Sequence, residues 1–300
     1  MSALFLITER LRKIIMDLTS PRVIKDIQTR FGFSFKKGLG QNFLTSQEVL
    51  DRITEAADVS DGVLEIGPGF GVLTKTLAEA APKVVSVEID ERLNEILEYT
   101  LSGYDNVKII NSDVLKVDLK KLIAEEFPGK KISIAANLPY YITTPIITRL
   151  IEERLDIKNI VVMVQKEVAE RMQAKPGTKD YGAITLLCRY YAEPSVVTTV
   201  SAGLFVPPPK VDSAVLKLEI LDEPRVKVLD EKTFFKTVKA AFSQRRKTLL
   251  NCLSSAFPIP KQELSDLMES VGISPSRRGE TLDIQEFAAL ADCLYDFKRS

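Results

Sequence analysis

The sequence predicts an α/β fold, a mainly parallel sheet covered by helices on both faces, followed by a small C-terminal all-α domain. Three observations predict it. From about residue 60, short β-branched runs alternate with amphipathic segments, the pattern of parallel strands linked by crossover helices. A glycine-rich turn joins the first of these runs to the first helix that follows. Beyond about residue 222 only helical periodicity remains.

The elements follow in order. A helix is expected over 46–58. Val63-Leu64-Glu65-Ile66 is a short apolar run that reads as a buried strand, and 72–80 reads as the helix after its turn. Strands are then expected at 84–89, 107–110, 132–136 and 160–164, with helices at 91–100 and 145–153. Two further strands, 195–200 and 214–220, flank Pro207-Pro208-Pro209. Proline keeps that stretch to a loop or an edge, so these strands are expected to pair antiparallel at the sheet margin. Residues 222–230 read as a linker containing Pro224. Helices are expected over 231–254, 260–271 and 283–296, broken at Ile259-Pro260 and Gly272. The expected division is an N-terminal extension at 1–19, an α/β domain at 20–222 and a helical domain at 223–300.

Composition narrows the chemistry. The 300 residues carry 41 Lys and Arg against 41 Asp and Glu, so a nucleic-acid site must be a local patch on a neutral body. There is no His, which removes Ser-His and Cys-His catalytic units and most zinc sites. Cys188, Cys252 and Cys293 lack metal-ligand spacing and read as reduced structural residues; no metal is expected. The apolar stretch 3–7 is too short for a secretory core or a membrane span, so no membrane partner and a cytoplasmic location are expected.

Leu64-Glu65-Ile66-Gly67-Pro68-Gly69-Phe70-Gly71 lets the backbone turn sharply and approach a ligand at the carboxyl end of a strand. It departs from the dinucleotide fingerprint, having Val72 where the third glycine should stand. Acids end the next two strands. Glu88 is suited to take both hydroxyls of a ribose, and Asp113 to accept from an adenine amine, although Asp113 reads equally as a cap before Val114 and Leu115. Glu65 can favour a cationic ligand by charge, or is an ordinary strand-end acid.

Asn137-Leu138-Pro139-Tyr140 follows the fourth strand. An adenine amine is a poor nucleophile because its lone pair is delocalised into the ring. Two acceptors aimed at its hydrogens, the Asn137 side-chain oxygen and the Leu138 carbonyl, can hold it in the pyramidal geometry of attack. Pro139 fixes the turn and Tyr140 can stack on an extruded base. Methylation of nitrogen needs no covalent nucleophile, so positioning suffices.

With these residues the chain resembles the ribosomal RNA adenine dimethyltransferase family over roughly residues 28–295. The resemblance is carried by Gly40-Gln41-Asn42-Phe43-Leu44, Glu65-Ile66-Gly67-Pro68-Gly69, Val87-Glu88-Ile89-Asp90 and Asn137-Leu138-Pro139-Tyr140. It continues through Phe205-Val206-Pro207-Pro208-Pro209-Lys210-Val211-Asp212-Ser213 and Phe242-Ser243-Gln244-Arg245-Arg246-Lys247-Thr248-Leu249. It implies a Rossmann-like class I S-adenosylmethionine-dependent methyltransferase domain. It also implies S-adenosyl-L-methionine contacts at Asn42, Leu44, Gly67, Gly69, Glu88, Asp113 and Asn137, and a catalytic loop, Asn137, Leu138, Pro139 and Tyr140, that holds the methyl-accepting adenine. Asn42 alone reads equally as a helix cap. The implied substrate is a pair of adjacent adenosines near the 3′ end of 16S rRNA, in a small ribosomal subunit or its precursor, modified by a monomeric enzyme.

From Lys232 to Lys261 the chain has no Asp or Glu, and Arg245-Arg246-Lys247 is the best candidate for RNA phosphate contact, with Lys36 and Lys37 as flanking candidates. Three alternatives are an adenine methyltransferase of large-subunit rRNA, a ribosome-assembly binding factor, and a nicotinamide-dependent oxidoreductase.

Overall fold

The computed structural model describes residues 16–34 and 41–297. Helix α1 (Pro21–Phe31) opens on a proline, whose fixed φ suits the first helical turn, and stops at Gly32 in the left-handed region. A two-residue strand β1 (Phe43–Leu44) precedes α2 (Gln47–Ala57), capped by the Ser46 hydroxyl, which accepts from the Val49 N–H. There follow β2 (Val63–Ile66), α3 (Val72–Ala80), β3 (Val84–Glu88), α4 (Asn94–Leu101), β4 (Val107–Asn111), α5 (Leu119–Glu126), β5 (Ile132–Asn137), α6 (Thr143–Glu152) and β6 (Ile157–Gln165). Then come α7 (Lys166–Met172), α8 (Ala183–Tyr191), β7 (Ala192–Val200), β8 (Phe205–Val206) and β9 (Ser213–Ile220).

Among the described residues the main sheet has the order β4-β3-β2-β5-β6-β9-β7. Its strands are parallel from β4 to β6, and β9 pairs antiparallel with β6. Every residue of β2 and β3 is buried, as the uninterrupted apolar runs require of strands covered on both faces. The strand order reverses between β2 and β5, which opens a crevice at their carboxyl ends. The motifs Gly67–Gly71 and Asn137–Tyr140 both sit there.

The chain divides into two compact units. One contains the sheet and comprises residues 1–169 and 195–220; the other comprises 170–194 and 221–300. The sequence-based division put 170–194 with the sheet. Its helix α8 instead packs Leu186 and Tyr190 into the helical unit's own core, with Phe234, Leu253 and Phe287. That core is completed by α9 (Glu231–Ala241), α10 (Leu249–Ser254), α11 (Lys261–Ser270) and α12 (Ile284–Phe297).

The single helix expected over 231–254 is two. It breaks at 242–248, where the Ser243 hydroxyl donates to the Ala240 carbonyl and Thr248 caps a new helix by accepting from the Asn251 N–H. Helices α1, α5, α7 and α8 have no counterpart in the sequence reading.

Candidate active site

The ten residues expected at the cofactor and acceptor positions line one pocket: Asn42, Leu44, Gly67, Gly69, Glu88, Asp113 and Asn137 with Leu138, Pro139 and Tyr140. Its floor is the turn after β2. Gly67 and Gly69 have φ of 72° and 59°. A Cβ on Gly67 would enter open space, whereas one on Gly69 would strike the Phe43 ring at 2.7 Å. Position 69 therefore requires glycine for both conformation and room.

Glu88 is 6% exposed at the end of β3. Its Oε1 accepts from the Asp90 N–H at 2.8 Å and its Oε2 from the Gly69 N–H at 3.3 Å. Burial pushes its pKa up, and the two backbone donors oppose that shift. A carboxylate offers about four acceptor directions, so each oxygen keeps capacity for a further donor. Asp113 forms the cap that its sequence context allowed: its Oδ1 accepts from the Leu115 N–H at 3.0 Å, while it still lines the pocket.

Glu65 lies behind the loop and is fully buried. Ser86 Oγ donates to its Oε2 at 2.7 Å, while Oε1 and Thr74 Oγ1 are buried without a hydrogen-bond partner. Desolvation raises its pKa to about 7. Glu65 is absent from the pocket lining, so it does not act on a ligand by contact.

At the acceptor loop, Asn137 Nδ2 donates to the Asn42 carbonyl at 3.3 Å. A carbonyl only accepts, so this contact fixes the amide's orientation and leaves Oδ1 as its acceptor end. The Pro139 carbonyl accepts from the Ile142 N–H and the Thr143 hydroxyl, which closes the turn onto α6. The Tyr140 hydroxyl meets Ser213 Oγ at 2.6 Å, and Ser213 is fully buried on β9.

Sequence reading missed how the pocket is roofed. β1 pairs antiparallel with β8, matching Phe43 to Val206 and Leu44 to Phe205. The Phe43 ring then stacks on Phe70 at 4.2 Å between centroids. The motif 205–213 thus carries both the strand that positions Asn42–Leu44 and the hydroxyl that holds Tyr140. Ile89, Val114 and Tyr141, given no site role from the sequence, also line the pocket; Ile89 is 56% and Tyr141 60% exposed. Lys36, Lys37 and Gly40 lie outside the described residues.

Among the described residues no Lys or Arg lines the pocket, while Glu88 and Asp113 do. The two acids suit the pocket to a nucleoside that carries a positive charge, as S-adenosylmethionine does. A family model described as ribosomal RNA adenine dimethylase matches residues 32–294. The chain belongs to that family.

Relatives agree along its length. It is 50% identical to Ribosomal RNA small subunit methyltransferase A of Alkaliphilus oremlandii, across 92% of this chain and 98% of the relative. The protein of the same name from Geobacillus thermodenitrificans is 54% identical, across 93% and 97%. Among solved structures, a dimethyladenosine transferase from Plasmodium falciparum superposes with a TM-score of 0.70 at 30% identity, covering 86% of this chain and 98% of that one. The 23S rRNA methyltransferase ErmE gives 0.64 at 28%, covering 84% and 99%. The family member described here is therefore an S-adenosylmethionine-dependent methyltransferase with the Rossmann-like class I fold, and the nicotinamide reading falls away.

Arg245, Arg246 and Lys247 lie in the helical unit and are exposed. Arg245 donates to the Lys179 carbonyl, which draws the 173–180 loop beside them. Of the other cations in the stretch, Lys236 is occupied, its ammonium lying 4.4 Å from the centroid of the Phe257 ring. Among the described residues no group of His, Cys, Asp or Glu is arranged to hold a metal, and no helix is long and apolar enough to cross a membrane.

Proposed function

We propose that this enzyme N6,N6-dimethylates two adjacent adenosines in a hairpin near the 3′ end of 16S rRNA, within a small ribosomal subunit or its precursor, in the cytoplasm. The observation that carries the reading is that the acceptor loop and the cofactor residues line a single pocket at the sheet's reversal point. S-adenosylmethionine supplies an electrophilic methyl group on a sulfonium. Glu88 takes the ribose hydroxyls on its remaining acceptor directions. Asp113 and the exposed Ile89 side chain bound the adenine, with Val114 beside them. Asn42, Leu44, Gly67 and Gly69 shape the remainder.

Asn137 Oδ1 and the Leu138 carbonyl accept from the two hydrogens of the target amine and draw its lone pair out of conjugation. Tyr140, anchored through Ser213, stacks on the flipped base. Each transfer would exchange the sulfonium–methyl bond for an N–methyl bond, leave the cofactor as a neutral thioether and release one amine proton to solvent. After the first, one hydrogen remains, and one acceptor still directs the lone pair toward a second cofactor molecule. Arg246 and Lys247, with Arg245, contact phosphates and set orientation without reading sequence. The enzyme is proposed to act as a monomer.

The small-subunit reading is supported by identity of 50–54% to relatives named for it, against 28% to ErmE. It is tested by incubating the protein with labelled S-adenosylmethionine and ribosomal subunits lacking adenine dimethylation. Label in small subunits is the expected result. Label in large subunits alone would move the enzyme to the other substrate, and binding of subunits without label would make it an assembly factor.

A further inference from the structure

Resting on that reading of the pocket, a further role emerges from a residue outside its lining. Arg149 stands two turns into α6, on the stripe that also presents Ile142 and Ile146 to the pocket. Its side chain retains 23% exposure. Nη2 donates to the Val117 carbonyl at 2.6 Å, Nη1 donates to the Val114 carbonyl, and Nε donates to Glu153 one turn further on. All five nitrogen-bound hydrogens lie in one plane, so a guanidinium can serve two carbonyls and a carboxylate at once; an ammonium cannot hold the same spacing.

The two carbonyls belong to the loop after β4. That loop folds on Asp113, whose carbonyl accepts from the Lys116 and Val117 N–H groups and whose Oδ1 accepts from Leu115. It presents Asp113 and Val114 to the pocket. The other end of α6 is fastened to the acceptor loop through the Pro139 carbonyl, which accepts from Ile142 and Thr143. Seven residues of helix, about 10 Å, thus separate the fastening of the acceptor loop from the fastening of the opposite wall.

We infer that Arg149 is a positioning residue for methyl transfer: by clamping the Val114 and Val117 carbonyls to α6, it fixes the Asp113–Val114 wall of the pocket against the Asn137–Tyr140 loop. Glu153 orients the guanidinium. The clamp sets the cofactor's nucleoside end in register with the amine, an alignment on which an in-line displacement depends steeply.

The test measures affinity of wild type, Arg149→Lys, Arg149→Met and Glu153→Gln for S-adenosylmethionine and for 5′-methylthioadenosine, which keeps the nucleoside and lacks the amino-acid end. Methyl transfer to small subunits is followed in parallel, with thermal unfolding as a control. Arg149→Lys is expected to weaken both ligands by the same factor, about tenfold, to raise KM for the cofactor, and to lower kcat at saturating cofactor. Glu153→Gln should show a smaller change of the same pattern. A drop in Tm with both affinities and kcat unchanged would reduce Arg149 to a structural role and overturn the inference. Should Arg149→Met fail to fold, the Lys and Gln variants still decide. Wild-type protein that binds neither ligand would overturn the cofactor reading and the inference with it; wild-type binding with unaltered variants overturns the inference alone.

Discussion

Asn137 ends β5 with one amide N–H bound to the Asn42 carbonyl, which orients the group and leaves its oxygen as the acceptor end. Replacing it by Asp would turn a second acceptor toward the Asn42 carbonyl, whereas Ala removes the acceptor together with the bond to Asn42. Glu88 makes a different prediction. Each of its oxygens already accepts a backbone N–H, so Glu88→Gln forces an amide group against one of those donors. Hydrogen bonds to a charged group contribute about 1.5–3 kcal/mol, so cofactor affinity measured by calorimetry should fall roughly 10- to 100-fold. Glu65 concerns stability and not contact. Its pKa is raised to about 7 from 4.5 in the fold, so the folded state binds the extra proton. Its contribution is fully present below about pH 4.5 and is lost as pH rises through 7. Glu65→Gln keeps an uncharged acceptor for Ser86. The variant should therefore gain stability relative to wild type on going from pH 5 to pH 8.5, by on the order of 3 kcal/mol. Denaturant unfolding at the two pH values checks this, and a gap that does not widen with pH would contradict a protonated Glu65.

At the scale of elements, the turn between β2 and α3 is the part most tightly set by its sequence. Gly69 combines a left-handed φ with a Phe43 ring where its Cβ would be. Gly69→Ala should displace β1 from above the pocket, weakening cofactor binding about tenfold or more and lowering Tm. Gly67→Ala meets no neighbouring atom and tests the backbone conformation alone, at about 1–2 kcal/mol. The central strands and α3 were legible because covered parallel strands must be continuous apolar runs and because the glycine turn marks where one element ends. The β1–β8 ribbon was not. Two-residue strands carry no periodicity, and their pairing is set by tertiary contact between segments some 160 residues apart. Their signal was present as motif similarity at 41–44 and 205–213, without a geometric meaning until both were seen on one pocket. Nor was the break at 242–248 legible. Lys239, Ala240 and Ala241 favour helix, and the break rests on side-chain bonds from Ser243 and Thr248 and on the Leu249 N–H, which donates to the distant Arg277 carbonyl.

At the scale of the whole molecule, a net charge of zero and an exposed basic segment have to be reconciled. A neutral protein gains little from the general field of RNA, so the Arg245–Lys247 segment must account for a large share of the salt dependence. Arg246→Ala with Lys247→Ala should weaken binding to small subunits and make the slope of log affinity against log salt shallower by about two. Cofactor affinity should be unchanged, since neither side chain lines the pocket. Arg245→Ala adds the loss of its bond to the Lys179 carbonyl and should lower the stability of the helical unit as well. The grouping of 170–194 with that unit was hidden from the sequence. Its helix α8 runs directly into β7, and no glycine, proline or charged linker marks a boundary at 169–170.

Centrally, the cofactor residues and the Asn137–Tyr140 loop are proposed to form one reaction centre for adenine in small-subunit rRNA. The most direct measurement digests the rRNA of small subunits treated with wild-type or Asn137→Ala protein and quantifies N6,N6-dimethyladenosine by mass spectrometry, with cofactor affinity of both proteins measured alongside. The predicted result is dimethyladenosine from wild type, a yield rate lower by roughly 100- to 1000-fold with Asn137→Ala, as for loss of a preorganised hydrogen-bond partner, and a loss of cofactor affinity much smaller than the loss of rate. Dimethyladenosine formed at the wild-type rate by Asn137→Ala would contradict it.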